Sequence, residues 1–274
     1  MADQGQPCRQ VPTHTNGTIV TVEETPVGAG IHAIAIPLFD IDSTLLAGGN
    51  LVHRRAFLHA LRSVYGIADP TPLAGGTHGM IDSQIIVEMV VHNGGTEAQA
   101  HAGMDAALAA MSEYYTAHSD EAEYIVIDGV TDLLRKLRDA GVPLGLLTGN
   151  VESIGWTKME RAGIRDYFAF GAFGSMALTR AELVPIARAR AQESLGRRFA
   201  LEQFFIVGDS PRDVACAHAA GIPVVAVATG IYSSRQLQET GADLVLDSLQ
   251  QHEEFFRFIL RQSNVHQATS DSVA

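Results

Sequence analysis

The stretch PLFDIDST, residues 37–44, passes from apolar to acidic within four positions, and the rest of the chain is best read outward from it. PLFDI is short and apolar, with carboxylates at its end, which is the pattern of a buried strand whose C-terminal edge carries polar groups. Pro37 is expected as its first residue, because a proline inside a central strand removes a ladder donor. Beyond residue 128 similar runs recur at 142–150 (VPLGLLTGN), 167–173 (YFAFGAF), 204–210 (FFIVGDS), 223–230 (PVVAVATG) and 242–249 (ADLVLDSL). Helical spacing separates them over 151–162 and 181–195, and a further helix ends at Gly221. Strand-like runs alternating with helices of that length predict an α/β fold, a doubly wound parallel sheet covered on both faces.

Between the first strand and the second the alternation stops. AFLHALRSVYG, DSQIIVEMVVHNGG and AQAHAGMDAALAAMSEYYTAH show helical spacing broken by glycine. The expected organisation is therefore an α/β core from 36–50 and 125–262, with a helical cap inserted over 51–124. Residues 1–35 read as a tail and lead-in, and 263–274 as a second tail without apolar periodicity. Residues 28–33 (GAGIHA) resemble a dinucleotide fingerprint, but they precede a strand instead of following one, so they belong to the lead-in.

Composition narrows the function. Hydrophobic residues make up 46% and charged residues 18%, enough apolar material for a substantial core. Nineteen Lys and Arg against 31 Asp and Glu give a net charge of −12, which disfavours a nucleic-acid partner, and no basic run offsets it. Cys8 and Cys216 are too few for a disulfide framework and lack metal-ligand spacing. The polar start has no apolar signal region, and no stretch reaches the length of a membrane span. The expectation is a cytoplasmic protein with no membrane partner.

In an open parallel sheet ligands bind beyond the strands' carboxyl ends. The residues there are Asp40 to Thr44, then Thr148-Gly149-Asn150, then Gly208-Asp209-Ser210-Pro211-Arg212-Asp213. Asp40 and Asp42 are two apart, so their side chains share a side while the chain stays extended. Carboxylates crowded in this way repel, and a hard cation with oxygen ligands relieves the repulsion. Plainer readings exist for each: a turn after a strand for Asp40 and Asp42, a helix N-cap for Asp209, an exposed first-turn acid for Asp213.

Taken together the three segments resemble the haloacid dehalogenase-like superfamily. Asp40 to Thr44 matches its DxDxT motif, Thr148 the Ser/Thr closing the second strand, and Gly208 to Asp213 its GDxxxD motif. The resemblance covers residues 36–250 and is nearest to phosphoglycolate phosphatase-like members. It implies an Mg²⁺-dependent phosphatase acting on a small phosphorylated metabolite. Asp40 would be the nucleophile and form an aspartyl phosphate, and Asp42 the acid and then the base. Asp40, the Asp42 carbonyl and Asp209 would hold the metal, with Asp213 a direct or outer ligand. Thr148, with Gly149 and Asn150, would bind the phosphoryl group.

The family commonly places a Lys beside that group. Here Lys158, Arg161 and Arg165 read as lying inside or beyond the helix after the second strand, away from the active edge. That leaves Arg180, just before the helix at 181–195, as the expected cation. The inserted helices match the family's cap, and Thr77 to Asp82, with His78, read either as a substrate-selecting loop or as a plain connection. Ser43 stands where the family usually has Gly, and Ala47 where phosphoglycolate phosphatases often have an acidic residue. A phosphomutase with the same aspartates and a non-catalytic binding module on this fold stay open as alternatives. A dehalogenase would have no use for Asp42.

Overall fold

Alternation of apolar residues assigns each strand to two cores at once. In the computed structural model, which describes residues 35–47, 51–74 and 76–271, six strands form one parallel sheet. They are β1 (Ile36–Phe39), β2 (Gly145–Thr148), β3 (Phe170–Phe173), β4 (Phe204–Gly208), β5 (Val224–Val227) and β6 (Leu244–Leu246), in the order β3-β2-β1-β4-β5-β6. Ile36, Leu38, Phe204, Ile206, Val224 and Ala226 point to one face, and Phe39, Phe205, Val207, Val225 and Val227 to the other. Helices cover both faces, so the sheet is doubly wound. The chain runs outward through β1, β2 and β3 and returns to β4, which makes the β1–β4 boundary the topological switch point.

Pro37 is the second residue of β1, not the first. The Asp40 N–H donates to the Val207 carbonyl on β4 at 2.9 Å. Alternation then turns the N–H of position 38 to β4 and that of position 37 to β2. Pairing with β2 starts only at Leu38↔Gly145, so the missing donor falls beyond the end of β2 and no ladder bond is lost.

Between β1 and β2 lie α1 (Leu51–Tyr65), α2 (Asp82–His92), α3 (Glu97–Ala102), α4 (Met104–Ala117) and α5 (Val130–Asp139). The first four have their own core, in which Val52, Ala56 and Ala60 of α1 meet Ala107, Met111 and Tyr115 of α4. Small residues at i, i+4 and i+8 let the two helix axes approach closely. α5 instead buries Val130, Leu133, Leu134 and Leu137 at i, i+3, i+4 and i+7 against the sheet.

The remaining helices are α6 (Glu152–Arg161), α7 (Leu183–Leu195), α8 (Pro211–Ala220), α9 (Ser234–Gln238) and α10 (His252–Asp271). α10 buries Phe255, Phe258 and Ile259 and runs on to Asp271, so a tail does not begin at residue 263. Its sequence holds no Gly or Pro that would stop the helix earlier. Cys216 is buried on α8, where burial pushes its thiol up to about 12. The stretch 28–33, Cys8 and residues 272–274 lie outside the described residues. Among the described residues no helix is long and apolar enough to cross a membrane.

Candidate active site

Asp40 ends β1 and Asp209 ends β4, so the switch point puts two carboxylates at one edge of the sheet. They line a cavity of about 480 Å³ together with Asp42, Ser43, Thr148, Asn150 and Arg180. His53, Phe57, His78 and Ile85 line it from α1, α2 and the segment between them. A second cavity of about 540 Å³, with Leu58, Pro70, Leu73 and Met89 in its walls, shares Asp42, His53, Phe57, Thr77, His78 and Ile85 with the first.

The third segment folds around a capped helix start. Ser210 is the N-cap of α8 and Pro211 its first residue. The backbone N–H and hydroxyl of Ser210 both donate to Asp213 Oδ2, at 3.0 and 2.6 Å. Asp213 is fully buried, not an exposed acid, and the cap is Ser210, not Asp209. Gly208 is required here, because a Cβ on it would lie 2.1 Å from the Asp213 carboxyl carbon. Asp209 thereby keeps its side chain at the cavity, where Thr44 Oγ1 donates to Oδ1 at 3.4 Å.

Arg180 opens the turn before α7, which Thr179 and Glu182 fix by a reciprocal capping box. Its Nη2 donates to Asp213 Oδ1 at 2.5 Å and lies 3.0 Å from Asp40 Oδ1. The guanidinium is buried and held charged by these two acids. Thr148 Oγ1 accepts from Asn150 Nδ2 at 2.7 Å, which leaves its own proton for a ligand in the cavity. The Gly149 carbonyl accepts from the Asp82 N–H at 2.8 Å, and a Cβ on Gly149 would come within 2.2 Å of the Met80 carbonyl oxygen. Its role is therefore close backbone approach to Met80 and Ile81, just before α2, as well as lining the cavity.

Lys158 is not directed away from the edge, as its helical position suggested. It is the seventh residue of α6, roughly 9 Å along the axis from the helix start. Side chains lean toward a helix's N-terminus, so a long lysine stem returns most of that distance. Lys158 Nζ donates to Asp42 Oδ1 and Oδ2 at 2.7 and 2.6 Å and to Asn150 Oδ1 at 2.6 Å. His53 Nδ1 lies 3.3 Å from the same ammonium, and His53 Nε2 is 2.9 Å from Asp82 Oδ2. Asp82 also accepts from the Val151 N–H at 2.8 Å. A sequence signal for Lys158 existed: it is one of only two lysines in the chain, set within the buried stripe Ile154, Gly155, Lys158, Met159. His53 carried no comparable signal, and Asp82 was marked only as the end of the stretch 77–82.

Electrostatics divide the acids. Burial, opposed by Arg180 and reinforced by Asp213 and Asp42, raises Asp40 to about 6. Burial, then the Asp40 and Asp213 charges, raises Asp209 to about 8. Burial works on Asp42 too, but Lys158, and after it His53, hold that carboxyl below its ordinary value. One carboxylate oxygen each from Asp40, Asp209 and Asp213 lie within 4.8 Å of one another. The donor set is all oxygen and two of its members resist ionisation when bare, which fits a hard divalent cation. Asp213 has Oδ1 on Arg180 and Oδ2 on Ser210, so Asp40 and Asp209 are the better-disposed ligands.

The profile described as "Haloacid dehalogenase-like hydrolase" matches residues 37–227. A phosphoglycolate phosphatase of Pseudomonas putida is 31% identical over 152 residues, 54% of this chain and 55% of that one. One of Rhodospirillum rubrum is 34% identical over 122 residues, 44% of this chain and 49% of that one. The chain thus spans about half the length of the curated relatives it matches. Among solved structures, a hydrolase from Pseudomonas syringae superposes with a TM-score of 0.60 at 17% identity, covering 82% of this chain and 99% of that one. CbbY from Rhodobacter sphaeroides in complex with phosphate gives 0.57 at 21%, covering 79% and 95%. At these identities the structures show a shared fold.

Proposed function

The chain belongs to the haloacid dehalogenase-like hydrolase family, and from that premise we propose that it is a phosphomonoesterase acting on a small phosphorylated metabolite. One observation carries the reading. A buried carboxylate at the switch point, Asp40, shares one cavity with the Arg180 guanidinium 3.0 Å away, the Thr148 hydroxyl and a second carboxylate, Asp42. Asp40 attacks phosphorus, the new O–P bond forms as the ester P–O bond breaks, and Asp42, which Lys158 holds ionised at rest, passes the proton of the substrate monoanion to the leaving oxygen. Asp42 then takes a proton from water, whose oxygen attacks the same phosphorus and frees Asp40 and inorganic phosphate. Thr148 and Arg180 donate to the phosphoryl oxygens through both steps. Asp40, Asp209 and the Asp42 carbonyl would hold Mg²⁺, which when bound neutralises charge on the phosphoryl group.

The named relatives favour a short acid phosphate such as phosphoglycolate. The space favours more, because the leaving oxygen faces Asp42 and the second cavity opens behind it between Phe57, Leu73 and Met89. Esters with a larger, partly apolar alcohol fit there. The test is phosphate release from p-nitrophenyl phosphate and from a panel of phosphoglycolate, sugar phosphates and nucleotides, with Mg²⁺. Wild type should turn over and show a mass increase of one phosphoryl group on Asp40 after quenching, and Asp40→Asn should do neither. Isomer formation without phosphate release, or full activity in Asp40→Asn, would overturn the reading.

A further inference from the structure

Asp42 works twice in the proposed reaction, first as acid and then as base, on oxygens that occupy the same place. That demands a carboxylate whose direction is fixed. Asp42 follows β1 as a bridge residue paired with Leu46 just before a turn, and about a third of its side chain is exposed. That pairing holds the backbone and leaves the direction of the carboxylate to its side-chain partners.

What grips it is a buried chain of polar groups crossing from core to cap. Asp42 Oδ2 accepts from Lys158 Nζ at 2.6 Å and from Asn150 Nδ2 at 2.9 Å, which uses both of its lone pairs. Among the described residues Oδ1 accepts from Lys158 alone, at 2.7 Å, and keeps one lone pair. Oδ1 is therefore the oxygen left for proton transfer. Lys158 itself does not line the cavity, and its side chain is 1% exposed, so no substrate meets it. Its third proton goes to Asn150 Oδ1 at 2.6 Å, and His53 Nδ1 shares these protons as a longer contact at 3.3 Å. An ammonium has only protons to offer, so His53 must present Nδ1 as acceptor and carry its hydrogen on Nε2, pointed at Asp82 Oδ2. Lys158 stands on α6 and Asn150 just before it, both in the core, whereas His53 is on α1 and Asp82 begins α2, both in the cap.

We propose that Lys158 is the positioning residue of Asp42, and that the cap completes its grip through the pair His53–Asp82. The inference rests on the phosphomonoesterase reading and adds to it a residue that acts through Asp42 without touching substrate. Aiming of the acid/base is tied to α1 lying over the site, because one of the three side chains around the ammonium arrives only with the cap.

The experiment is a double-mutant cycle on kcat/KM with two substrates, p-nitrophenyl phosphate and an alkyl phosphomonoester that leaves poorly. Lys158→Met keeps the stem's packing and removes the charge. It should cost on the order of 10² on the alkyl ester and clearly less on p-nitrophenyl phosphate, whose leaving oxygen needs little protonation. In an Asp42→Asn background the same substitution should cost less than about threefold, because the group it serves is gone. His53→Asn should show the same pattern at about tenfold, and it supplies the answer if Lys158→Met does not fold. Equal losses on both substrates, or losses that persist in Asp42→Asn, would overturn the inference and leave the phosphatase standing. A wild type inert toward every ester would remove the reading and this inference with it.

Discussion

Arg180 stands between two acids, and its position there decides what its loss does. It lies 3.0 Å from the proposed nucleophile and 2.5 Å from Asp213. A guanidinium so placed stabilises the transferring phosphoryl group and also neutralises a buried carboxylate. Arg180→Ala should therefore lower kcat/KM on p-nitrophenyl phosphate by a factor of about 10² or more. It should also cost about 3 kcal/mol of unfolding free energy, since Asp213 is left buried and uncompensated. Arg180→Lys should recover part of both, and Arg190→Ala, whose partner is the half-exposed Glu152, should leave kinetics nearly unchanged. Unaltered turnover in Arg180→Ala would remove Arg180 from the phosphate site. Ser43 poses a different question. Among the described residues it is the one non-glycine with a positive φ, +66°. A left-handed backbone is costly for a residue with a Cβ, and glycine relieves most of that at an entropic cost in the unfolded chain. Ser43→Gly should stabilise the protein by about 0.5 kcal/mol in urea unfolding. A loss of stability instead would mean that the serine side chain makes contacts worth more than the backbone strain.

At the scale of elements, short apolar runs ending in acids, hydroxyls or glycine made the sheet and its active edge readable, because a buried parallel strand has no polar face to confuse the pattern. Capping signatures are equally local, S-x-x-D at 210–213 and T-x-x-E at 179–182, and the first of them shows why the cap is Ser210 where the sequence reading offered Asp209. Lys158 was not readable in the same way. Spacing along a helix tells how deep a residue sits, but its reach depends on the lean and length of the side chain. His53 and Asp82 meet Lys158 only because α1 and α2 fold back over β1, a long-range event that no local pattern encodes. The segment between α1 and α2 holds a further test. Thr77, His78 and Gly79 line the first cavity, and Arg212 of α8 donates to the His78 carbonyl, which fixes the linker's backbone and leaves the imidazole facing the cavities. His78→Ala should reorder kcat/KM among natural phosphate esters by about tenfold while p-nitrophenyl phosphate changes less than threefold. A uniform loss on all substrates would give the side chain a structural or directly catalytic part.

For the molecule as a whole, the switch-point carboxylates make stability, metal and pH one linked quantity. With no cation bound, burial and neighbouring charge raise Asp40 to about 6 and Asp209 to about 8, against an unfolded value near 3.8. The folded chain then holds protons that the unfolded chain has released, so the slope of unfolding free energy against pH is negative across that interval. Stability from these two groups is fully present below about pH 4 and is lost as pH rises through 6 and then 8. A divalent cation binds the ionised forms and reverses the penalty, in competition with the same protons. Thermal unfolding followed by intrinsic fluorescence should show this directly. In excess chelator Tm should fall between pH 5 and pH 8, whereas millimolar Mg²⁺ should raise Tm by an increment that grows over the same range. Asp209→Asn should flatten the fall in chelator and abolish most of the increment, with the α/β core otherwise intact. An increment that does not depend on pH, or one that survives Asp209→Asn, would move the metal away from Asp40 and Asp209.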